Sequence, residues 1–158
     1  MKEFKSFFKD VDNRKFNTWC RWTKRLDTYG CGCAHDCKYC YSKSLLNFRG
    51  LWNPAAPAVA DLKKIESKIK KLPAGSIVRM GGMTDCFQPC EREHRITYET
   101  IKLLNKYGIG YLIVTKSDLV CDYLSILDKE LAHVQVSTTW LPCEKAVSTE
   151  RRIKAIET

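Results

Sequence analysis

Two hydrophobic periods alternate along most of this chain, and that alternation restricts the fold more than any figure of composition. Ile77-Val78-Arg79-Met80 is a short apolar run closed by Gly81-Gly82, the pattern of a strand entering a turn. From about His94 to Tyr107, Ile96, Ile101, Leu104 and Tyr107 keep helical spacing, and Gly108 stands where a helix-ending glycine belongs. Ile109 to Val114 reads as a buried strand and runs straight into Thr115-Lys116-Ser117. Ser117 or Asp118 can cap a helix carrying Leu119, Tyr123, Leu124 and Leu127. A strand with Val134 and Val136 then leads into Ser137-Thr138-Thr139, and Ser148 can cap a last helix from Arg151 to Glu157. Upstream, Val59, Leu62, Ile65, Ile69 and Leu72 share a helical face, Asn53 to Pro57 is a loop, and Leu26 to Tyr29 is the candidate first strand.

Strand–helix alternation of this kind gives parallel strands joined by right-handed crossovers, in an open α/β sheet or a barrel. Chemistry in such folds collects at the carboxyl ends of the strands. Here those ends carry a cysteine-rich loop, Gly81-Gly82-Met83-Thr84-Asp85, Thr115-Lys116-Ser117 and Ser137-Thr138-Thr139, so the expectation is one polar rim.

Nine cysteines punctuate the 158 residues, and four of them fall between Cys31 and Cys40. An odd count without a secretory signal argues for metal or thiol chemistry in a reducing compartment rather than a disulfide framework. The first residues, Met1 to Asp10, alternate Lys with Phe and lack the apolar stretch of a signal peptide. No apolar run approaches the roughly 18 residues of a membrane span. The expected location is the cytoplasm, with no membrane partner.

Charge divides the chain further. The formal net charge is +9, and it resides in two stretches. Residues 1–25 carry Lys2, Lys5, Lys9, Arg14, Lys15, Arg21, Lys24 and Arg25 against Glu3, Asp10 and Asp12; residues 63–71 carry Lys63, Lys64, Lys68, Lys70 and Lys71 against Glu66. The first stretch interleaves its cations with Phe4, Phe7, Phe8, Phe16, Trp19 and Trp22, a composition suited to gripping an anionic polymer and stacking on its bases. The alternative is an arm that packs its aromatics on the domain, beside a solvated Lys-rich helix face. The division expected is a basic aromatic arm, 1–26, and a core, 27–158.

Cys33, Cys37 and Cys40 have the spacing C-x3-C-x2-C. A loop this tight can wrap three thiolates around one cubic iron–sulfur cluster, leaving one iron open as a catalytic zinc keeps a position open. With Tyr39 supplying an aromatic before the third cysteine, the sequence resembles the radical S-adenosylmethionine superfamily, and within it the spore photoproduct lyase group of DNA-photolyase-like proteins. Further matches are Gly82-Met83-Thr84-Asp85, Gln88-Pro89, Glu91-Arg92-Glu93, Val114-Thr115-Lys116-Ser117 and Val136-Ser137, so the likeness runs from about Tyr29 to the end.

The resemblance implies a partial parallel βα barrel, of which about four βα units are present where the family has about six. It implies that Cys33, Cys37 and Cys40 hold a 4Fe-4S cluster whose open iron chelates S-adenosyl-L-methionine. One electron from an external flavodoxin- or ferredoxin-like donor would cleave the sulfonium bond, giving methionine and a radical that abstracts a substrate hydrogen. Gly81 and Gly82 would let backbone approach the cofactor's ammonium, Thr84 would offer it a hydroxyl, and Lys116 would meet the methionyl carboxylate. Ser137 would bond the ribose or carboxylate, and Tyr39 would lie by the adenine. Nucleic acid is the implied substrate class, and a partner chain could complete the barrel.

The chain departs from the lyases proper at Gly82, where they carry a hydrogen-donating cysteine, and Cys86 and Cys90 are out of register with that position. Two other readings remain. One is a non-catalytic zinc or cluster module that binds nucleic acid, using Cys31, Cys33, Cys37 and Cys40 or His35; the other is a truncated relative that has lost turnover. His35, His94 and His133 are expected to be solvent-facing or satisfied, and Cys20, Cys121 and Cys143 to be packing residues.

Overall fold

The computed structural model describes the backbone of residues 7–8, residue 22, residues 24–139 and residues 147–158. Most of the basic aromatic arm, including Phe4, Phe16, Trp19 and Cys20, lies outside the described residues, as does Cys143.

The fold is mixed α/β around a parallel sheet. Strands β2 (Lys24–Leu26), β5 (Ile77–Met80), β6 (Gly110–Thr115) and β7 (Ala132–Val136) lie side by side in that order, all parallel. Strand β1 (Phe7–Phe8) adds an antiparallel edge on β2. A separate two-stranded ribbon pairs β3 (Tyr29–Gly30) with β4 (Ala58–Val59). The helices are α1 (Tyr41–Phe48), α2 (Leu62–Ile69), α3 (Glu91–His94), α4 (Ile96–Lys106) and α5 (Thr149–Glu157), with a 3-10 helix over Asp118–Ile126.

Side-chain alternation decides which sheet face is covered. Leu26, Val78, Met80, Tyr111 and Ile113 point to one face and join Ile65 and Ile69 of α2, Ile101 and Leu104 of α4, and Leu119 and Val120 in a single core. The in-register row on the other face is Arg25, Arg79, Leu112 and His133. One face is therefore apolar and roofed by helices, and the other carries cations.

The expected elements appear, with local shifts that have identifiable causes. The first parallel strand is Lys24–Leu26 rather than Leu26 to Tyr29, because Asp27 turns its carboxylate to the backbone N–H groups of Gly82 and Met83 and ends the pairing. Val59 belongs to β4, not to the helix after it, which starts only beyond its cap Asp61. The helix expected from His94 to Tyr107 is broken at Arg95, whose φ of 52° is left-handed, so α3 and α4 meet at a corner. Ser117 caps a 3-10 helix instead of an α-helix, and β7 begins two residues before Val134. Ser148 caps α5 through the Arg151 N–H, but the helix starts at Thr149.

Asp61 accepts from the N–H groups of Lys63 at 2.9 Å and Lys64 at 3.3 Å, satisfying two of the first donors of α2. Asp61→Ala is expected to cost about 1 kcal/mol, read as a lower urea midpoint at unchanged slope.

Among the described residues, no helix is long and apolar enough to cross a membrane.

Candidate functional site

The segment leaving the sheet at Asp27 forms β3 and then coils through the cysteines. Two successive turns close it, with the Asp36 N–H donating to the Cys33 carbonyl at 3.0 Å and the Cys40 N–H to the Cys37 carbonyl at 3.1 Å. Asp36 adopts a φ of 42°, a left-handed position that Asn and Asp tolerate better than most residues. Lys43 of α1 holds the Asp36 carboxylate at 2.8 Å. Coiled this way, Cys33, Cys37 and Cys40 all line one cavity of about 260 Å³.

Strand ends build the opposite wall. Gly81, Gly82 and Thr84 follow β5, Lys116 follows β6, and Ser137 follows β7; all of them line that same cavity, as does Tyr39. The nine residues expected at the site thus face one space. Cys31 does not line it, and its carbonyl instead accepts from the Asn53 N–H.

Asp85 ties the strand ends together. Its Oδ1 accepts from the Phe87 N–H and the Thr115 hydroxyl, and its Oδ2 accepts from the Lys116 N–H at 2.7 Å. Gln88, fully buried, bridges to the cysteine loop: its Oε1 accepts from the Ala34 N–H and its Nε2 donates to the Asp85 carbonyl. The Tyr41 hydroxyl donates to the Gly82 carbonyl at 2.6 Å. The loop is thereby fixed to β5 and β6 by side chains rather than by strand pairing, the kind of support that sets a site's geometry.

One individual expectation changes, that for His35, and the glycines at 81 and 82 also answer to the protein itself. Gly81 has φ 78°, and a Cβ there would lie 2.3 Å from the Val114 carbonyl; a Cβ at Gly82 would press on the Arg25 side chain at 3.1 Å. His35 is buried, not solvent-facing or satisfied: among the described residues neither ring nitrogen has a hydrogen-bond partner, although Nε2 lies 3.5 Å from Asp85. Burial is the first cause that lowers its pKa, with Asp85 opposing.

Thr84 spends its hydroxyl proton on the Tyr29 carbonyl, so toward a ligand it can only accept. Tyr39 is reached by Arg152 of α5, whose guanidinium is buried and also donates to the carbonyls of Val147 at 2.7 Å and Ser137 at 3.4 Å. Burial pushes the Cys33 thiol up to about 12, with the Asp85 charge adding to the effect. Among the described residues, no three His, Cys, Asp or Glu side chains form a group that could hold a metal ion.

Asp85 and Gln88 were legible as parts of motifs, though not in their roles as ties. Arg79, which lines the cavity, and Arg152, one of two adjacent arginines on a polar helix, gave no signal in the sequence.

No protein-family model matches the chain, and no solved structure matches it. A search of curated proteins finds an uncharacterized protein of Methanocaldococcus jannaschii, 26% identical over 138 residues. The match takes in 80% of this chain and 51% of the relative, so the chain spans about half the length of the curated relative it matches.

Proposed function

We propose that this chain is a radical S-adenosylmethionine enzyme, with the parallel sheet as part of a βα barrel and Cys33, Cys37 and Cys40 as the ligands of a 4Fe-4S cluster. The observation that carries the reading is the cavity in which those three thiols face the carboxyl ends of β5, β6 and β7.

The donor set fits a cluster with one open iron. Three thiols share the cavity and the neighbouring thiol, Cys31, stands outside it. A cube distributes its thiolates over different irons, a wider arrangement than the close tetrahedron of a single zinc. A thiol as buried as Cys33 stays protonated at neutral pH unless a metal replaces the proton, so loading releases protons. When bound, the cluster supplies an electron for reductive cleavage of the sulfonium of S-adenosylmethionine, and an external flavodoxin- or ferredoxin-like protein would replenish it.

The chain's own residues then bind and orient. Lys116, whose backbone is fixed by Asp85, brings an ammonium for the methionyl carboxylate. Thr84, limited to accepting, suits the cofactor's amino group, and Ser137 offers a hydroxyl. Tyr39, held by Arg152, forms a half-open side wall for the adenine. The lyase-like motifs and the basic aromatic arm favour nucleic acid as substrate.

Anaerobic loading with iron and sulfide tests this. About four irons per chain, and 5′-deoxyadenosine on adding dithionite and S-adenosylmethionine, are the expected results, both lost in Cys37→Ala. Colourless protein holding a single zinc overturns the reading, and a stable cluster without 5′-deoxyadenosine limits the chain to cluster binding.

A further inference from the structure

The cavity wall holds one cation that the cofactor reading does not use. Two acidic residues line it, and both are occupied: Asp36 pairs with Lys43, and Asp85 accepts from the Thr115 hydroxyl and the backbone of Phe87 and Lys116. Two cations line it, Lys116 and Arg79, and neither has a carboxylate partner among the described residues. Lys116 is accounted for by the methionyl carboxylate in the reading above, on which this inference rests. Arg79 is left over.

Its placement is unusual for a structural arginine. Arg79 sits on the sheet face turned away from the apolar core, directly in register with Arg25 on β2. Like charges paired across adjacent strands oppose folding unless something offsets them. Arg25 has Asp27 close enough to lower the Asp27 pKa by charge attraction. Among the described residues Arg79 has the ring of Trp22, with its guanidinium carbon 5.2 Å from the centroid, and no carboxylate. Stacking on an aromatic face leaves the in-plane N–H fork free and pre-oriented, the geometry that takes two oxygens of a phosphate or carboxylate at once.

We infer that Arg79 is a substrate-binding residue that grips an oxyanion of the substrate, a phosphate in a chain with this excess of basic residues, beside the cofactor pocket. The guanidinium lies over Trp22 and lines the cavity, and the substrate's charge settles the Arg25–Arg79 repulsion. The other source of such an oxyanion is the methionyl carboxylate itself, which would make Arg79 part of the cofactor pocket instead.

Equilibrium dialysis of the cluster-loaded chain separates the two, with the thymidine dinucleotide TpT, its uncharged methylphosphonate analogue and S-adenosylmethionine as probes. Arg79→Gln is expected to weaken TpT roughly 10- to 100-fold, the loss of a charge-assisted bond, while leaving the affinity for S-adenosylmethionine as it was. Arg79→Lys, which keeps the charge without the fork, is expected to recover only part. The methylphosphonate analogue is expected to bind wild type no better than Arg79→Gln does. Wild-type chain that does not bind TpT, equal TpT binding by wild type and Arg79→Gln, or a loss confined to S-adenosylmethionine each overturns the inference. Failure of the enzyme reading itself shows separately, as wild-type chain that forms no 5′-deoxyadenosine.

Discussion

Glu91→Ala is expected to cost about 3–5 kcal/mol, a large share of the roughly 5–15 kcal/mol that keeps an ordinary domain folded. Glu91 is fully buried, and its carboxylate accepts four hydrogen bonds. Oε2 takes the Tyr29 hydroxyl and the Thr97 N–H at 2.9 Å; Oε1 takes the Tyr123 hydroxyl at 2.8 Å and the Tyr98 N–H at 3.0 Å. Thr97 and Tyr98 open α4, and Arg95, at the position before that helix, gives no side-chain cap. Glu91 therefore caps α4 from α3, with its negative charge at the positive end of the helix. The same group pins Tyr29, just ahead of the cysteine loop, to Tyr123 of the 3-10 helix. Burial and then the Glu91 bond raise the pKa of both phenols, so they remain donors at every accessible pH. Alanine leaves three buried donors and one half-buried donor without an acceptor. Glu91→Gln keeps the shape but turns an amide N–H₂ toward two of those donors, and should fall between wild type and alanine. Urea unfolding followed by circular dichroism measures all three; a Glu91→Ala midpoint matching wild type would sink the account.

Glu91 also shows what sequence could and could not reveal. It was visible in the run Glu91-Arg92-Glu93, which carries a helical and acidic signal, but nothing local distinguishes Glu91 from Glu93. Only the left-handed corner at Arg95 folds α3 back so that one of them meets four donors. The strand positions were readable because alternation along β5 and β6 is enforced by a buried face, and the strand-end clusters followed from chain direction alone. The cysteine triad was readable because its spacing is local. Arg79, His35, Asp27 and Arg152 were not, since their meaning comes from cross-strand register or from burial by distant segments. His35 most clearly marks that boundary: its neighbours in sequence place it in a polar loop, while Asp85, fifty residues on, meets it in a buried space.

The pH dependence of stability should carry the mark of Asp27. This side chain is almost fully buried; its Oδ1 accepts from the N–H groups of Gly82 at 2.7 Å and Met83 at 3.0 Å, and its Oδ2 has no hydrogen-bond partner among the described residues. Burial pushes its pKa up to about 6, outweighing the backbone N–H groups of Met83, Gly82 and Thr84 and the Arg25 charge that pull it down. In the unfolded chain the group titrates near 3.8. Below that value both states hold the proton and Asp27 contributes no slope. Between there and about 6 the folded state keeps a proton that the unfolded state has released, so stability falls as pH rises, by about 3 kcal/mol in all. Above about 6 the penalty is complete and stays constant. Asp27→Asn retains the acceptor for Gly82 and Met83 and removes the charge. It is therefore expected to match wild type near pH 3.5 and to exceed it by about 2–3 kcal/mol at pH 7. Unfolding free energies of the two proteins across that range decide it, and a difference independent of pH would remove Asp27 as the cause. A chain that keeps a destabilising carboxyl here gains a rigid hold on Gly82 and Met83, which form the cavity wall, so the stability lost at neutral pH is lost where the proposed chemistry needs fixed geometry.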